Sequence, residues 1–412
     1  MKFFHLADLH FGKQLHGLSL IEQGDQGAWV ERFLRLTEEV RPQAVVVSGD
    51  IYDRSVPSRE AVELCDRFLT GLSAQGVAVL LVAGNHDSGP RLAFAADLLR
   101  AQGVHIAGSV TGELRSVTLQ DEHGPVRFWL LPYLFPAAVE EALGLEELRT
   151  YDAAARALLS RQSIDPSERN VLVAHQLVLH GGSAPEEGGS ETMVGGVGQI
   201  DCSAFDAFDY VALGHIHKPQ AIGRESVRYA GSPMCYHFSE IGWKKGAYLV
   251  EMGEKGDIRG EMIGIEPLHP LREVRGELDQ IIRSETAAPR GGEYIRAVLT
   301  DEQLPAGAFD ALDALFLSHG SRLLDMARQP KELSADAQAA ARGARAQRSV
   351  EELFTEFYRA RMGGEFPAPA EAELVRFAAE QAGRVQQDAP EGELGSLAEA
   401  LVAFALRQEE RE

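Results

Sequence analysis

The chain has 412 residues, 45% of them hydrophobic, and a formal net charge of −22. That length is too great for one compact core and predicts two or three domains, while the acidic balance argues against a protein that holds nucleic acid unaided on a broad basic surface. Cys65, Cys202 and Cys235 form no CxxC pair, which fits inert thiols in a reducing compartment, with a Cys202–Cys235 contact left open.

The amino-terminal run Phe3–Ala7 reads as a buried strand and ends at Asp8 and His10. It breaks at Asp8 before a signal-peptide core is complete, and no run of about eighteen apolar residues occurs, so a soluble, cytoplasmic protein that does not enter a membrane is expected. Ala44–Val47 is a second strand and leads to Asp50. A helical pattern over Val56–Ser73 follows, then a strand Val77–Ala83 ending at Asn85-His86-Asp87, then a helical pattern over Pro90–Ala101. Val171–Ala174 leads to His175, and Val211–Gly214 to His215 and His217. His180–Gly198 is Gly-rich and reads as a mobile loop rather than a phosphate loop.

Strands alternating with helices over residues 1–266 predict a layered α/β domain. Any one of these strand-end residues has an ordinary explanation, as a turn Asp or a hydrogen-bonded His. Five apolar runs that all end on metal-binding residue types point instead to one site at the carboxyl edge of a sheet. Asp8 and His10 are two apart, as are His215 and His217, so each pair projects from one side of an extended strand. Carboxylates, an amide and imidazoles together suit manganese, iron or zinc. A metal-dependent hydrolase is expected.

Beyond Glu266-Pro267 the pattern changes to strand, helix, strand, helix over Leu271–Val274, Leu278–Ile282, Tyr294–Leu299 and Ala308–Phe316, a small α+β domain over 267–332. Residues 333–348 read as a linker or connecting helix. In 349–412, Ser349-x-x-Glu352 has capping-box spacing, and Val350, Leu353, Phe354, Phe357 and Tyr358 form one apolar helix face. That face packs either on the chain's own catalytic domain or on a partner.

Asp8-x-His10, Gly49-Asp50-x-x-Asp53, Gly84-Asn85-His86-Asp87, His175 and Gly214-His215-Ile216-His217 resemble, in order, the signature of calcineurin-like metallophosphoesterases. Tyr229-Ala230-Gly231-Ser232-Pro233, Phe238-Ser239-Glu240 and Lys244-Lys245-Gly246 resemble the stretch that follows it in SbcD-like bacterial nucleases. The resemblance implies a layered α/β/β/α sandwich of two mixed sheets, an α+β DNA-capping domain and a helical carboxy-terminal element. It implies two divalent metals, manganese foremost with Mg2+, Fe2+ or Zn2+ as alternatives. One is held by Asp8, His10, Asp50 and His217, the other by Asp50, Asn85, His175 and His215, with Asp50 shared.

By the same resemblance His86 is the general acid for the leaving sugar oxygen, with phosphate contact as a secondary role, and Asp87 is expected to orient its ring. Archaeal and eukaryotic members commonly carry His where this chain has Asp53, which is expected to orient a ligand or cap the next helix. Lys13, Lys218, Lys244 and Lys245 lie near the motifs and are candidate DNA contacts. Leu64 and Phe68, with Leu92 on the following helix, form either a homodimer face or a face on the chain's own sheet. Leu353, Phe354, Phe357 and Tyr358 are expected to dock on an SbcC-like coiled-coil ABC-type ATPase.

The function so implied is a manganese-dependent DNA exonuclease and hairpin or single-strand endonuclease for DNA repair, recombination and replication. The alternatives are a phosphatase or small-nucleotide phosphodiesterase and, from another class, a non-catalytic DNA- or partner-binding scaffold.

Overall fold

The computed structural model describes residues 1–187 and 198–329. Uninterrupted β-branched and aliphatic runs form strands covered on both faces. All of Ala44–Ser48 is buried, and Ala78–Val82 is nearly so. Both belong to a six-stranded sheet in the order Ile258–Gly264, Gly246–Met252, Lys2–Leu6, Ala44–Ser48, Ala78–Val82, Val104–Ala107. Lys2–Leu6 pairs parallel with Ala44–Ser48 and antiparallel with Gly246–Met252, so the sheet is mixed. A second mixed sheet of six strands runs Gln220–Ile222, Arg224–Tyr229, Tyr210–Gly214, Arg169–His175, Gly124–Leu131, Arg115–Asp121.

Strand alternation assigns the two faces of each sheet. Phe3, Val46 and Leu80 of the first sheet meet Phe128, Val173 and Ala212 of the second in the central core. On the outer face of the first sheet Phe4, Val45 and Val79 pack under Phe33 of the helix Asp25–Val40 and Phe68 of the helix Arg59–Ala74. The helix Tyr151–Ser160 covers the second sheet, with Leu158 packed beside Leu172 and Val211. The result is the layered α/β/β/α sandwich, and it stacks the carboxyl ends of both sets of parallel strands at one edge.

The helix Arg59–Ala74 is capped by the Ser58 hydroxyl, which accepts from the Ala61 amide. Asp53 therefore does not cap it. The helical pattern over Pro90–Ala101 is broken into Gly89–Leu92 and Ala96–Leu99 with a 3-10 turn Arg100–Gln102, and Ala95 at the break is left-handed (φ 59°). The expected dimer residues Leu64, Phe68 and Leu92 are corrected by burial: all three sit in the chain's own core, at most 9% exposed. Apolar side chains of the same segments that do face outward are Val62, Phe94 and Leu98.

Leu271–Gly276, Tyr294–Leu299 and Arg322–Arg328 form a parallel three-stranded sheet covered by the helices Leu278–Ala287 and Ala308–Ser318, a third strand beyond the expected pattern. Val274, Ile295, Leu312 and Phe316 make its separate core. The expected linker and docking segment, with Leu353, Phe354, Phe357 and Tyr358, lie outside the described residues, as does 188–197 of the Gly-rich stretch. Among the described residues, no helix is long and apolar enough to cross a membrane.

His5 is fully buried between the sheets. Its Nε2 donates to the Leu213 carbonyl (3.1 Å) and its Nδ1 accepts from the Tyr210 hydroxyl (3.0 Å). Burial first, then the charge of Arg228, pushes its pKa down to about 3. The unfolded chain therefore binds the proton below about pH 6.5 while the folded chain refuses it, so stability falls with acidification from about 6.5 toward 3. Thermal melts between pH 5 and 7 should show His5→Gln with a shallower loss than the parent, the difference in slope growing toward about 1.4 kcal/mol per pH unit at the acid end. Equal slopes would refute this role for His5.

Candidate metal centre

Asp8, Asp50 and Asn85 follow the carboxyl ends of three adjacent parallel strands of the first sheet. His175 ends a strand of the second sheet and is paired in register with Gly214, so His215 and His217 follow beside it. Tight turns aim these side chains inward. Of the eight non-Gly residues with positive φ among the described residues, four are Asp8 (54°), His10 (43°), Asp50 (49°) and His215 (105°). Such conformations cost about 1–3 kcal/mol each and persist where surrounding structure enforces them. Here Asp8 N–H donates to the Gly49 carbonyl (3.1 Å) and His10 N–H to the Asp50 carbonyl (2.9 Å). The approach is close enough that a Cβ at Gly84 would lie 2.1 Å from Asp50 Oδ1, and one at Gly214 1.8 Å from the Ser48 carbonyl.

The donor atoms converge in three overlapping groups among the described residues, and Asp50 belongs to two of them, one with His10 and His86 and one with Asp8 and His175. His10 Nε2 and His217 Nε2 are 3.2 Å apart, and Asp8, His10 and His217 bring their ligand atoms within 4.8 Å of one another. Asp8, Asp50 and His175 do the same. Asp50 Oδ2 lies 3.6 Å from His10 Nε2 and 3.4 Å from His175 Nε2, which puts it between the groups. Asn85 Oδ1 lies 2.9 Å from His175 Nε2 and 3.2 Å from His215 Nδ1.

Hydrogen-bond accounting tests whether metal fits. His175 Nδ1 donates to the Ser48 carbonyl (2.8 Å), so the Nε2 of the neutral ring is a bare acceptor. It faces Asn85 Oδ1 and Asp50 Oδ2, which are acceptors too. His217 Nδ1 is turned to Glu240 Oε1 (3.5 Å), which leaves its Nε2 as an acceptor facing His10. Protonation does not relieve the crowding, because burial pushes the His10 and His175 rings down, and His215 down to about 3. Neutral imidazole and carboxylate are the metal-binding forms. Lone pairs aimed at one another in a buried space fit divalent cations.

His86 stands at the rim. Its Nδ1 donates to the Asp53 carbonyl (2.9 Å), its backbone N–H donates to Asp50 Oδ1 (2.9 Å), and its ring meets His10 edge-on at 4.9 Å. Asp87 does not orient it. The Asp87 carboxylate accepts from the Ile51, Tyr52 and Gly84 amides (2.9–3.1 Å), binding the two ligand loops together. Desolvation and then the charge of Asp50 raise its carboxyl above the ordinary range. Asp53 turns its carboxylate to Lys13 Nζ (2.8 Å) and lies 3.6 Å from His10 Nδ1, beside a candidate ligand but beyond hydrogen-bond reach of it.

The lysines divide. Lys244 is exposed, Lys218 pairs with Glu186, and Lys13 is engaged by Asp53. Lys245 is corrected as a DNA contact: it is buried, and its Nζ donates to the His217 carbonyl (2.7 Å), Ser232 Oγ (2.6 Å) and Glu240 Oε2 (2.7 Å).

Glu240 thus links Lys245 to His217, a role the sequence did not reveal. Desolvation opposes its ionisation, yet the hydrogen bond from His217 and the charge of Lys245 together draw its carboxyl down to about 2. Gln26 also carries no mark in the sequence: its amide donates to the His10 carbonyl (2.8 Å) and holds the first ligand loop. No spacing picks out either residue, because each is distant in sequence from the ligand it supports.

Residues 1–219 match the calcineurin-like phosphoesterase family, and residues 267–362 match a family described as the type 5 capsule protein repressor C-terminal domain. A Staphylococcus epidermidis protein, named as a subunit of the nuclease SbcCD, is 29% identical over 304 residues, 73% of this chain and 79% of that one. Two solved structures align at low similarity. A dimetal phosphatase from Danio rerio has a TM-score of 0.36 at 14% identity, covering 63% of this chain and 95% of its own. A Thermus thermophilus protein has a TM-score of 0.34 at 12% identity, covering 63% and 98%.

Outer-sphere carboxylates on ligating histidines are worth about 10–100-fold in metal affinity. Glu240→Gln should weaken manganese binding, measured by calorimetric titration, by that factor with the far-ultraviolet spectrum unchanged. Unaltered affinity would mean that Glu240 does not support His217.

Proposed function

This chain belongs to the calcineurin-like phosphoesterase family, and from that premise we propose that it is a metal-dependent DNA nuclease that hydrolyses phosphodiesters at ends and hairpins. The observation that carries the reading is Asp50 Oδ2 lying between His10 Nε2 and His175 Nε2 within overlapping clusters of candidate ligands, with His86 beside them. Support for DNA as substrate comes from the relative named as part of a nuclease, aligned over 73% of this chain, and from the second domain match after residue 266.

In this reading Asp8, His10, Asp50 and His217 hold one divalent ion, and Asp50, Asn85, His175 and His215 the other. The ions supply Lewis acidity to the phosphate and lower the pKa of water at neutral pH. The remaining chemistry belongs to the side chains. His86, with Nδ1–H fixed on the Asp53 carbonyl, keeps Nε2 for giving a proton to the departing sugar oxygen. Asp87 keeps the His86 loop tied to the Asp50 loop, and Gln26 holds the His10 backbone. The mixed nitrogen and oxygen donors suit manganese.

The wider proposal has a nuclease domain over 1–266, a DNA-capping domain over 267–332, a linker over 333–348 and a docking segment over 349–412 that joins a coiled-coil ABC-type ATPase. Lys13, Lys218 and Lys244 are its candidate DNA contacts. A partner that contributes positive surface fits a chain of net charge −22. Homodimerisation through Phe94 and Leu98, both more than three-quarters exposed, and a cytoplasmic location complete it.

Purified protein with Mn2+ should cut end-labelled duplex and hairpin DNA. His86→Ala should slow cleavage about 10²–10⁴-fold, and Asp50→Ala should abolish it. Hydrolysis of a small phosphomonoester with no cleavage of DNA, alone or with the ATPase, would replace this reading with a phosphatase.

A further inference from the structure

We propose that Tyr133, Phe135 and Tyr151 form a stacking platform for an unpaired nucleobase attached to the phosphate under attack, an inference that rests on the nuclease reading. The strand Gly124–Leu131 ends at the same edge as the candidate metal ligands and runs into Pro132-Tyr133-Leu134-Phe135-Pro136. Leu134 is wholly buried, so extended alternation turns its neighbours the other way. Phe135 is held extended as the residue before the helix Pro136–Leu143, and it is 53% exposed.

The three rings pack as one unit. Tyr133 and Phe135 meet edge-on at 5.0 Å, Phe135 and Tyr151 at 6.4 Å, and Tyr133 and Tyr151 at 6.2 Å. The unit abuts the metal centre directly, with the Tyr133 ring 6.1 Å from His175 and 6.5 Å from His215. The Tyr133 amide donates to the Ala83 carbonyl (2.8 Å), just before the Asn85 turn, which fixes the platform to the ligand loop.

Position and chemistry together choose the occupant. Anything resting on these rings lies next to the His175 and His215 end of the centre, and so beside a phosphate bound there. The cluster itself contains no cation, so it suits a flat neutral group rather than a second phosphate. A large apolar ring left half in water beside a polar centre gains by covering its face, and every base offers a π-face irrespective of sequence. Bases inside a duplex are stacked on both faces and unavailable, so the platform selects frayed ends, hairpin loops and single strands. The ring contacts of His86 run to His10, whereas those of Tyr133 run to His175 and His215, so the stacked base belongs to the nucleoside that retains the phosphate.

The test compares the parent, Phe135→Ala and Phe135→Trp on single-stranded oligonucleotides with a normal or an abasic nucleotide at the cleaved position. Phe135→Ala should lower kcat/KM about tenfold on the normal strand, Phe135→Trp should retain it, and the difference should vanish on the abasic strand. Equal losses on both strands, or no loss, would overturn the platform. Binding of a 2-aminopurine oligonucleotide in Ca2+ reads stacking without cleavage: quenching by the parent and its loss in Phe135→Ala are expected. If the parent cuts no DNA the nuclease reading fails by itself, whereas absence of quenching in the parent rejects the platform whether or not DNA is cut.

Discussion

Bare lone pairs crowded around Asp50 are the constraint on which the rest of the structure depends. The Asp50 carboxylate, His175 Nε2, His10 Nε2, His217 Nε2 and Asn85 Oδ1 converge at close range, while the other ring nitrogens of His175 and His217 face the Ser48 carbonyl and Glu240. Burial resists placing further protons on the imidazoles. Such an arrangement is unfavourable in itself and becomes favourable with cations between the acceptors. The left-handed backbone at Asp8, His10, Asp50 and His215 belongs to the same cost, which the large cores on either side of the sheets offset.

The sandwich supplies what this crowding requires. Two sheets contribute ligands from opposite sides, and cross-sheet bonds at the active edge hold them in register: Ser48 Oγ donates to the Ala212 carbonyl, and the Ser48 carbonyl accepts from His175. A second layer of buried groups then fixes each loop. Gln26 and Tyr236 hold the loop of Leu9 and His10, Asp87 joins the loops of Asp50 and Asn85, and Glu240 with Lys245 backs His217. Positive charge on Lys245 is taken up in stabilising buried Glu240, so it does not reach the surface.

The ligand positions were legible in the sequence because each follows an apolar run, and run length with strand polarity carries a residue to the same edge. Burial and long-range partners were not. Leu64 and Phe68 have helical spacing that reads equally as an inner or an outer face, and only the sheet beneath them decides. Asp87 adjoins His86 in the chain, yet its carboxylate reaches the amides of Ile51 and Tyr52, contacts that local spacing cannot encode. Lys244 and Lys245 look alike as a pair, although one faces water and the other lies against Glu240. Of Tyr133-Leu134-Phe135 only the Leu134 in the middle is fully buried, which the apolar run alone does not tell.

Manganese stoichiometry tests the shared carboxylate most directly. Equilibrium dialysis with metal analysis of the chain, of Asp50→Ala and of His217→Ala at micromolar free Mn2+ separates the cases. Two ions per chain, about one in His217→Ala and none in Asp50→Ala would establish Asp50 as the group common to both clusters. Two ions retained in Asp50→Ala, or fewer than two in the parent at saturation, would contradict it.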